Sequence, residues 1–217
     1  MEKPKKQPRA LTMQILGKGI SGIKGSRLHM ARMKAALLTG VAFMTRVCEL
    51  IPRPGTTHFL RRKGVEFEYG HRGSTKPTGM RVTIQSQKTN GEPVWRSIGA
   101  TWTNTCCVRA MYEYLHMCGD KPGQNESVFG ACEGLKALGY KDVMEGIRAA
   151  ANSAGCADAD EFSTKSMRRG GVTTMTEKGN VPGYIIGKHG RWSSLTWASI
   201  YEELNSRTAK MIAENMH

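Results

Sequence analysis

The stretch over residues 162–204 decides the fold, and it reads FSTKSMRRGGVTTMTEKGNVPGYIIGKHGRWSSLTWASIYEEL. Ser163 and Thr164 are preferred N-cap types, so they predict the start of a helix with Lys165 and Arg168 on its first turn. Residues three apart share one face of a helix, and a helix N-terminus beside an ammonium and a guanidinium attracts anions. This end of the helix is therefore predicted to bind a phosphate group.

Two more helices are predicted in the same stretch, after a helix end at Gly179. Pro182 suits the first position of a short helix, and Ser193 or Ser194 suits the N-cap of a last one. Tyr201 falls on the apolar side of this last helix, as a buried core aromatic would, and position alone favours that role. Its phenol could instead attack a bound phosphate.

The composition indicates a polyanionic partner. The 217 residues carry a formal net charge of +14, and 39% of them are apolar, which is ordinary for one globular domain. A pI of about 9.7 points to nucleic acid first and to a membrane surface second. Because the sequence has no long apolar run and no lipidation signal, we expect no membrane partner.

The cysteines and acidic residues do not suggest a metal or a disulfide framework. Six cysteines are present without a C-x-x-C pair, which argues against structural zinc. Asp158, Asp160 and Glu161 form an acidic cluster with too few ligands for a metal site, so no cofactor is expected. With no signal peptide, the protein is predicted to work in the cytoplasm or the nucleus and not to be secreted.

Upstream, apolar residues that recur every three or four positions from Met30 to Cys48 predict a core helix over residues 27–48. Arg46 lies off the apolar stripe of this helix, and position alone would make it an exposed surface charge.

Three short β-patterns follow, over residues 65–69, 80–85 and 94–98. Between the last two, Lys88 precedes Asn90-Gly91, and Asn-Gly between β-runs is the strongest short-range hairpin signal. We therefore predict an antiparallel sheet with Lys88 at or beside a hairpin tip. A lysine in that place is usually a solubilising edge charge.

Several of these pieces resemble the motifs of tyrosine recombinases of the phage-integrase type. FMTRVCEL around Arg46 resembles the first arginine box, with Glu49 as its acidic, orienting residue. Lys88 is followed by Thr89 and resembles the catalytic lysine on the hairpin of that family. KSMRRGG resembles the second arginine box, written His-or-Lys-x-x-Arg. GRWSS…IYEE resembles the closing segment, in which Trp192 stands nine residues before the tyrosine.

The resemblance runs from about residue 8 to the end and implies that family's catalytic domain. It implies an α+β fold, mostly helical, with a small three-stranded antiparallel sheet. One domain is expected over residues 10–217, after a basic flexible tail over residues 1–9 and without a separate N-terminal core-binding domain. The implied catalytic residues are Arg46, Lys88, Lys165, Arg168, Trp192 and Tyr201. The residues expected to contact DNA are Arg169, Lys188 and Arg191.

This set implies strand transfer through a 3′-phosphotyrosine, without metal, ATP or cofactor. Two guanidiniums would offset the charge of a pentavalent phosphorus, and Lys88 would protonate the 5′-hydroxyl leaving group. Lys165 stands where most relatives have histidine and stays protonated near neutral pH, so the base for Tyr201 is open. The implied partners are double-stranded DNA and further copies of the chain, in a tetrameric synapse.

Three functions fit these observations. The first is a site-specific recombinase or integrase of a mobile element. The second is a basic DNA-binding module of the same fold without catalysis, in which Tyr201 and Trp192 merely pack. The third is a type IB topoisomerase or telomere resolvase, which would share the chemistry.

Overall fold

The computed structural model describes residues 7–55, 57–85, 92–178 and 181–192. Within these ranges the chain forms seven α-helices and one antiparallel sheet of three strands, which confirms the predicted α+β class. The helices are α1 (Met13–Gly19), α2 (Arg27–Ala42), α3 (Val47–Leu50), α4 (Cys107–Cys118), α5 (Tyr140–Ser153), α6 (Lys165–Lys178) and α7 (Gly183–His189). The strands are β1 (Val65–Glu68), β2 (Gly79–Ile84) and β3 (Val94–Gly99). In the part of the chain described, no helix is both long and apolar enough to cross a bilayer.

Helix α2 lies at the centre of the hydrophobic core, where it packs against α4, α5 and α6. Every residue from Ala35 to Ala42 is buried, because this half of the helix is apolar or small on all sides. The predicted stripe was wrong at Met30, whose side chain is exposed.

The predicted helix over residues 27–48 was wrong at its end, because α2 stops at Ala42. Met44 adopts a left-handed backbone with a φ of 48°. Its N–H donates to the carbonyl of Val41, and the N–H of Thr45 donates to the carbonyl of Gly40. This pair of hydrogen bonds is the Schellman arrangement that closes a helix. Glycine usually holds the left-handed position, and methionine gave no such signal in the sequence.

The three strands pair in the order β1-β2-β3, all antiparallel, and the predicted strand positions are confirmed to within about two residues. Val65 pairs with Val82, and Met80 pairs with Ile98. The predicted hairpin position of Lys88 lies outside the described residues. Arg96 of β3 ties the sheet to α7, because its Nε and Nη2 donate to the carbonyl of Lys188 at 3.1 and 2.7 Å.

Helix α6 is held very close to the N-terminal segment. The N–H of Leu11 donates to the carbonyl of Ser166 at 2.9 Å, and a Cβ at Gly170 would lie 1.8 Å from the carbonyl oxygen of Leu11. Ahead of this contact, Arg9 forms an ion pair with Asp158 at 3.1 Å. The flexible tail predicted over residues 1–9 stays a prediction.

Replacing Gly170 with alanine should destabilise the protein, because its Cβ would overlap backbone that cannot rotate away. We expect Gly170→Ala to lower the free energy of unfolding by about 2 kcal/mol. Gly183→Ala is the matched control, since a Cβ there meets nothing within 4 Å. Urea denaturation of both variants measures the effect, and equal unfolding free energies would contradict the close packing of α6.

Candidate active site

A cavity of about 320 Å³ opens between the N-terminal ends of α3 and α6. Four cationic side chains line it: Arg46, Arg53, Lys165 and Arg168. None of the described residues that line the cavity is an aspartate or a glutamate. The remaining lining residues are Thr45, Val47, Cys48, Tyr140 and Thr164. Cations, hydroxyl groups and the N-terminus of a helix together favour an anion such as a phosphate group.

The first turn of α6 supplies one wall of the cavity. Ser163 Oγ accepts a hydrogen bond from the N–H of Lys165 at 3.2 Å, which satisfies one of the free donors at the start of the helix. Lys165 is exposed, whereas Arg168, one turn later, is only 4% exposed. The predicted helix start, with both cations on one face, agrees with these positions.

Arg168 also joins α6 to the segment after α7. Its Nη2 donates to the carbonyl of Gly190 at 2.7 Å, and its guanidinium carbon lies 4.2 Å from the centre of the Trp192 ring. Such a stacked cation and indole attract each other electrostatically. The second arginine box and Trp192, predicted as parts of one site, are therefore adjacent.

The opposite wall is the start of α3, where Arg46 is the N-cap residue. Glu49 Oε2 accepts a hydrogen bond from the backbone N–H of Arg46 at 2.7 Å, and Oε1 accepts from Arg46 Nη1 at 3.1 Å. The carboxylate is 3% exposed, whereas the side chain of Arg46 is 42% exposed and reaches the cavity. Glu49 thus orients Arg46, as its predicted role requires.

Arg191 occupies a different environment from the one predicted. Its side chain is 8% exposed, and its Nη2 lies 2.7 Å from Glu49 Oε2. Nη1 donates to the carbonyl of Phe43 at 2.9 Å. Burial lowers the pKa of Arg191, and the neighbouring charge of Glu49 opposes that shift. This burial speaks against the predicted DNA contact and favours a positioning role.

The other two residues predicted to contact DNA differ in exposure. Arg169 is 5% exposed, and its Nη1 donates to Gln7 Oε1, so burial speaks against a phosphate contact there. Lys188 is exposed near the end of α7, where its carbonyl accepts from Arg96. Its contact with DNA stays a prediction.

Two of the six residues in the predicted catalytic set, Lys88 and Tyr201, lie outside the described residues. The structure brings the other four together around or beside one cavity. It adds Arg53, whose guanidinium carbon lies 5.2 Å from the centre of the Tyr140 ring. Arg53 stands between two prolines in the sequence, and no local pattern marks it or Tyr140 as part of a site.

His189 packs against the end of α2. Its Nε2 lies 2.8 Å from the carbonyl of Ala42, so Nε2 carries the proton, and its ring stacks on Phe43 with centroids 5.9 Å apart. Burial lowers the pKa of His189, and the charges of Arg191 and Arg96 lower it further. Across the described ranges, no three His, Cys, Asp or Glu side chains are grouped as metal ligands.

Comparison with known proteins gives a fold but no sequence relative. No protein-family model matches the chain, and no curated protein matches it. Among solved structures, the XerH site-specific recombinase in a post-cleavage complex with a palindromic difH substrate superposes with a TM-score of 0.70. The fold is that of a tyrosine recombinase catalytic domain.

The likeness to recombinases is structural. The XerH post-cleavage structure is 16% identical over 96% of this chain, and the XerH pre-cleavage complex with difH is 17% identical over 94%, with a TM-score of 0.67. XerA recombinase is 16% identical over the whole chain, with a TM-score of 0.66. This chain spans 53% of each XerH chain and 66% of XerA. At such identities the match establishes the recombinase fold alone.

The lowered pKa of His189 makes stability depend on pH. Between the folded pKa and the usual value of 6.5, the unfolded chain binds more protons than the folded chain. The free energy of unfolding should therefore fall as the pH drops below about 6.5. His189→Gln keeps an N–H for Ala42 but does not titrate, so it should flatten this slope.

Urea denaturation at a series of pH values measures the slope. His71→Gln, at an exposed position, is the control and should keep the wild-type slope. An unchanged slope in His189→Gln would show that another group causes the dependence.

Proposed function

We propose that this chain is the catalytic domain of a site-specific DNA recombinase that cleaves and rejoins strands through a 3′-phosphotyrosine. The observation that carries the proposal is the cavity. Arg46 and Arg168 come from distant parts of the chain and line the same 320 Å³ space, together with Lys165 at a helix N-terminus. The recombinase fold and a net charge of +14 add support for double-stranded DNA as the partner.

The proposed reaction is an in-line displacement at a backbone phosphorus. The nucleophile is the Tyr201 phenolate, whose oxygen forms a bond to phosphorus while the bond to the 5′ oxygen breaks, and Lys88 gives the leaving 5′ oxygen its proton. Arg46 and Arg168 bind the non-bridging oxygens, where a planar guanidinium can donate two parallel hydrogen bonds. The phosphotyrosine conserves the energy of the broken bond, so a second 5′-hydroxyl can reverse the step without ATP.

Two features of the chain shape this mechanism. Lys165 lines the cavity at the N-terminus of α6, where an anion is favoured, so we assign it to phosphate stabilisation and not to deprotonation of Tyr201. Trp192 stacks on Arg168 and would keep that guanidinium facing the phosphate. Further copies of the chain on DNA would be needed to exchange strands between two duplexes, as in a tetrameric synapse. Such exchange could integrate a mobile element.

A covalent adduct would test the nucleophile directly. We expect wild-type protein to form a denaturation-resistant complex with nicked duplexes of randomised sequence, from which the released 5′-hydroxyl fragment diffuses away. Tyr201→Phe should form none, and Arg168→Ala should form it about 10²- to 10³-fold more slowly. Denaturing gels and mass spectrometry of the linked peptide measure the outcome.

Two further variants sharpen the assignment. Tyr184→Phe is the control, since Tyr184 is 69% exposed and lines no part of the cavity, so it should react like wild type. Tyr140 does line the cavity. Loss of the adduct in Tyr140→Phe with retention in Tyr201→Phe would move the nucleophile to Tyr140. A wild-type protein that binds every duplex but never reacts would favour the non-catalytic module.

Binding to DNA should depend steeply on salt, because positive charge dominates the expected interface. If about six phosphates are contacted, the affinity should fall by about 10³-fold between 50 and 200 mM salt. Fluorescence anisotropy with a duplex of a sequence recovered from the covalent adduct, and with a scrambled version of it, measures this, and binding to both should weaken in parallel. A specific complex that is insensitive to salt would contradict the charge-driven interface.

A further inference from the structure

Arg191 has an unusual backbone for its residue type. Its φ is +62°, in the left-handed region that glycine adopts freely and arginine rarely does. Residues are held in such conformations where the surrounding contacts fix them, and these positions cluster at functional sites. At Arg191 the side chain is 8% exposed, and its guanidinium contacts Phe43, Met44 and Glu49.

The guanidinium of Arg191 closes the C-terminal end of α2. Its Nη1 donates to the carbonyl of Phe43 at 2.9 Å, and its Nη2 lies 3.4 Å from the carbonyl of Met44. His189, two residues earlier, donates a hydrogen bond from Nε2 to the carbonyl of Ala42. The last carbonyls of a helix lack partners within the helix and carry its negative dipole, so a cation there is favourable. Residues 189–191 therefore act as a cap supplied by a distant segment.

The same guanidinium reaches the carboxylate that orients Arg46. Glu49 Oε2 accepts from Arg191 Nη2 and from the N–H of Arg46, each at 2.7 Å. Its other oxygen accepts from Arg46 Nη1. Because one buried oxygen receives both donors, a shift of either segment moves the other.

The residue that follows Arg191 contacts the second arginine box. Trp192 stacks on Arg168, and Gly190, on the other side of Arg191, accepts from Arg168 Nη2. Arg191 thus lies between the two contacts that hold Arg168, while its own side chain holds Glu49. It does not itself line the cavity.

We propose that Arg191 is a positioning residue that locks the two arginine boxes to each other through Glu49. The proposal rests on the recombinase function proposed above and adds a residue to its site. Without this guanidinium, Glu49 Oε2 loses one of its two donors and keeps only the N–H of Arg46, and residues 190–192 lose their anchor at the end of α2. Arg46 and Arg168 would then no longer hold a fixed separation, and displacements of about 1 Å can cost about 10²-fold in rate.

The test compares Arg191 with a buried arginine elsewhere in the core. Arg32 is 3% exposed and donates to the carbonyls of Gly130 and Lys136 at 3.1 and 2.7 Å, but it lines no part of the cavity. Arg191→Gln, Arg191→Lys and Arg32→Gln would be measured for thermal unfolding, for affinity to an uncleaved duplex and for the single-turnover rate of adduct formation.

We expect Arg191→Gln to slow adduct formation by about 10²-fold while DNA affinity stays within about threefold of wild type. Arg191→Lys keeps the charge beside Glu49 but not the planar fork, so it should recover part of the rate. Arg32→Gln should lower the unfolding temperature without a matching loss of rate. If the role of Arg191 is purely structural, the rate of adduct formation should fall in the Arg191 variants and in Arg32→Gln alike, each in proportion to its unfolded fraction.

Wild-type rates in folded Arg191 variants, or the proportional slowing just described, would overturn the proposal. If Arg191→Gln does not fold, Arg191→Lys carries the comparison. Absence of an adduct in the wild type would mean that the proposed recombinase function fails. In that case, hydrogen exchange tests separately whether Arg191 positions the two arginine boxes. The amides of Gly190 and Trp192 donate to Ile186 and Gly187, and faster exchange there in Arg191→Lys than in Arg32→Gln supports the lock. Equal exchange overturns it.

Discussion

The buried carboxylate of Glu49 is the constraint on which the site depends. A carboxylate that is 3% exposed has lost its water, and that loss costs several kcal/mol unless charged partners and hydrogen bonds offset it. Arg46 meets the carboxylate from within the same short segment, and Arg191 meets it from more than a hundred residues further along the chain. The ion pairs and hydrogen bonds of this one carboxylate therefore connect the start of α3 to the segment after α7, which in turn contacts the end of α2.

The cavity beside this carboxylate concentrates positive charge. Arg46, Arg53, Lys165 and Arg168 line one space, and their mutual repulsion opposes folding. Packing of α2 against α6 and the contacts of Arg168 with Gly190 and Trp192 hold the charges in place. A bound phosphodiester would relieve that repulsion. The repulsion that destabilises the free protein therefore strengthens the binding of an anion. In the proposed reaction, this relief would be largest where negative charge builds up on the phosphorus oxygens.

Much of the fold could be predicted from local patterns, and the errors have identifiable causes. The alternation of β1 to β3 and the capping residues before α6 are local signals, and both were read correctly. The helix end at Ala42 was not predicted because the left-handed residue that closes the helix is Met44. A glycine in that position would have indicated the helix end. Burial of Arg169 and Arg191 was missed because their partners, Gln7 and Glu49, are remote in sequence. Arg53 and Tyr140 were missed for a similar reason, since they join the cavity only after α5 packs into place.

The sequence by itself determined the residue types, their order and their local elements: a basic chain, two arginine boxes, a hairpin signal and an aromatic residue nine positions before a tyrosine. These properties are local because capping, periodicity and turn chemistry act over a few residues. Only the tertiary structure decided which cations line a common cavity and which are buried in contacts that stabilise the fold. Arg168 and Arg169 are neighbours in one helix, yet one lines the cavity and the other faces Gln7. Successive residues of a helix point about 100° apart, so the packing of α6 assigns each its surroundings.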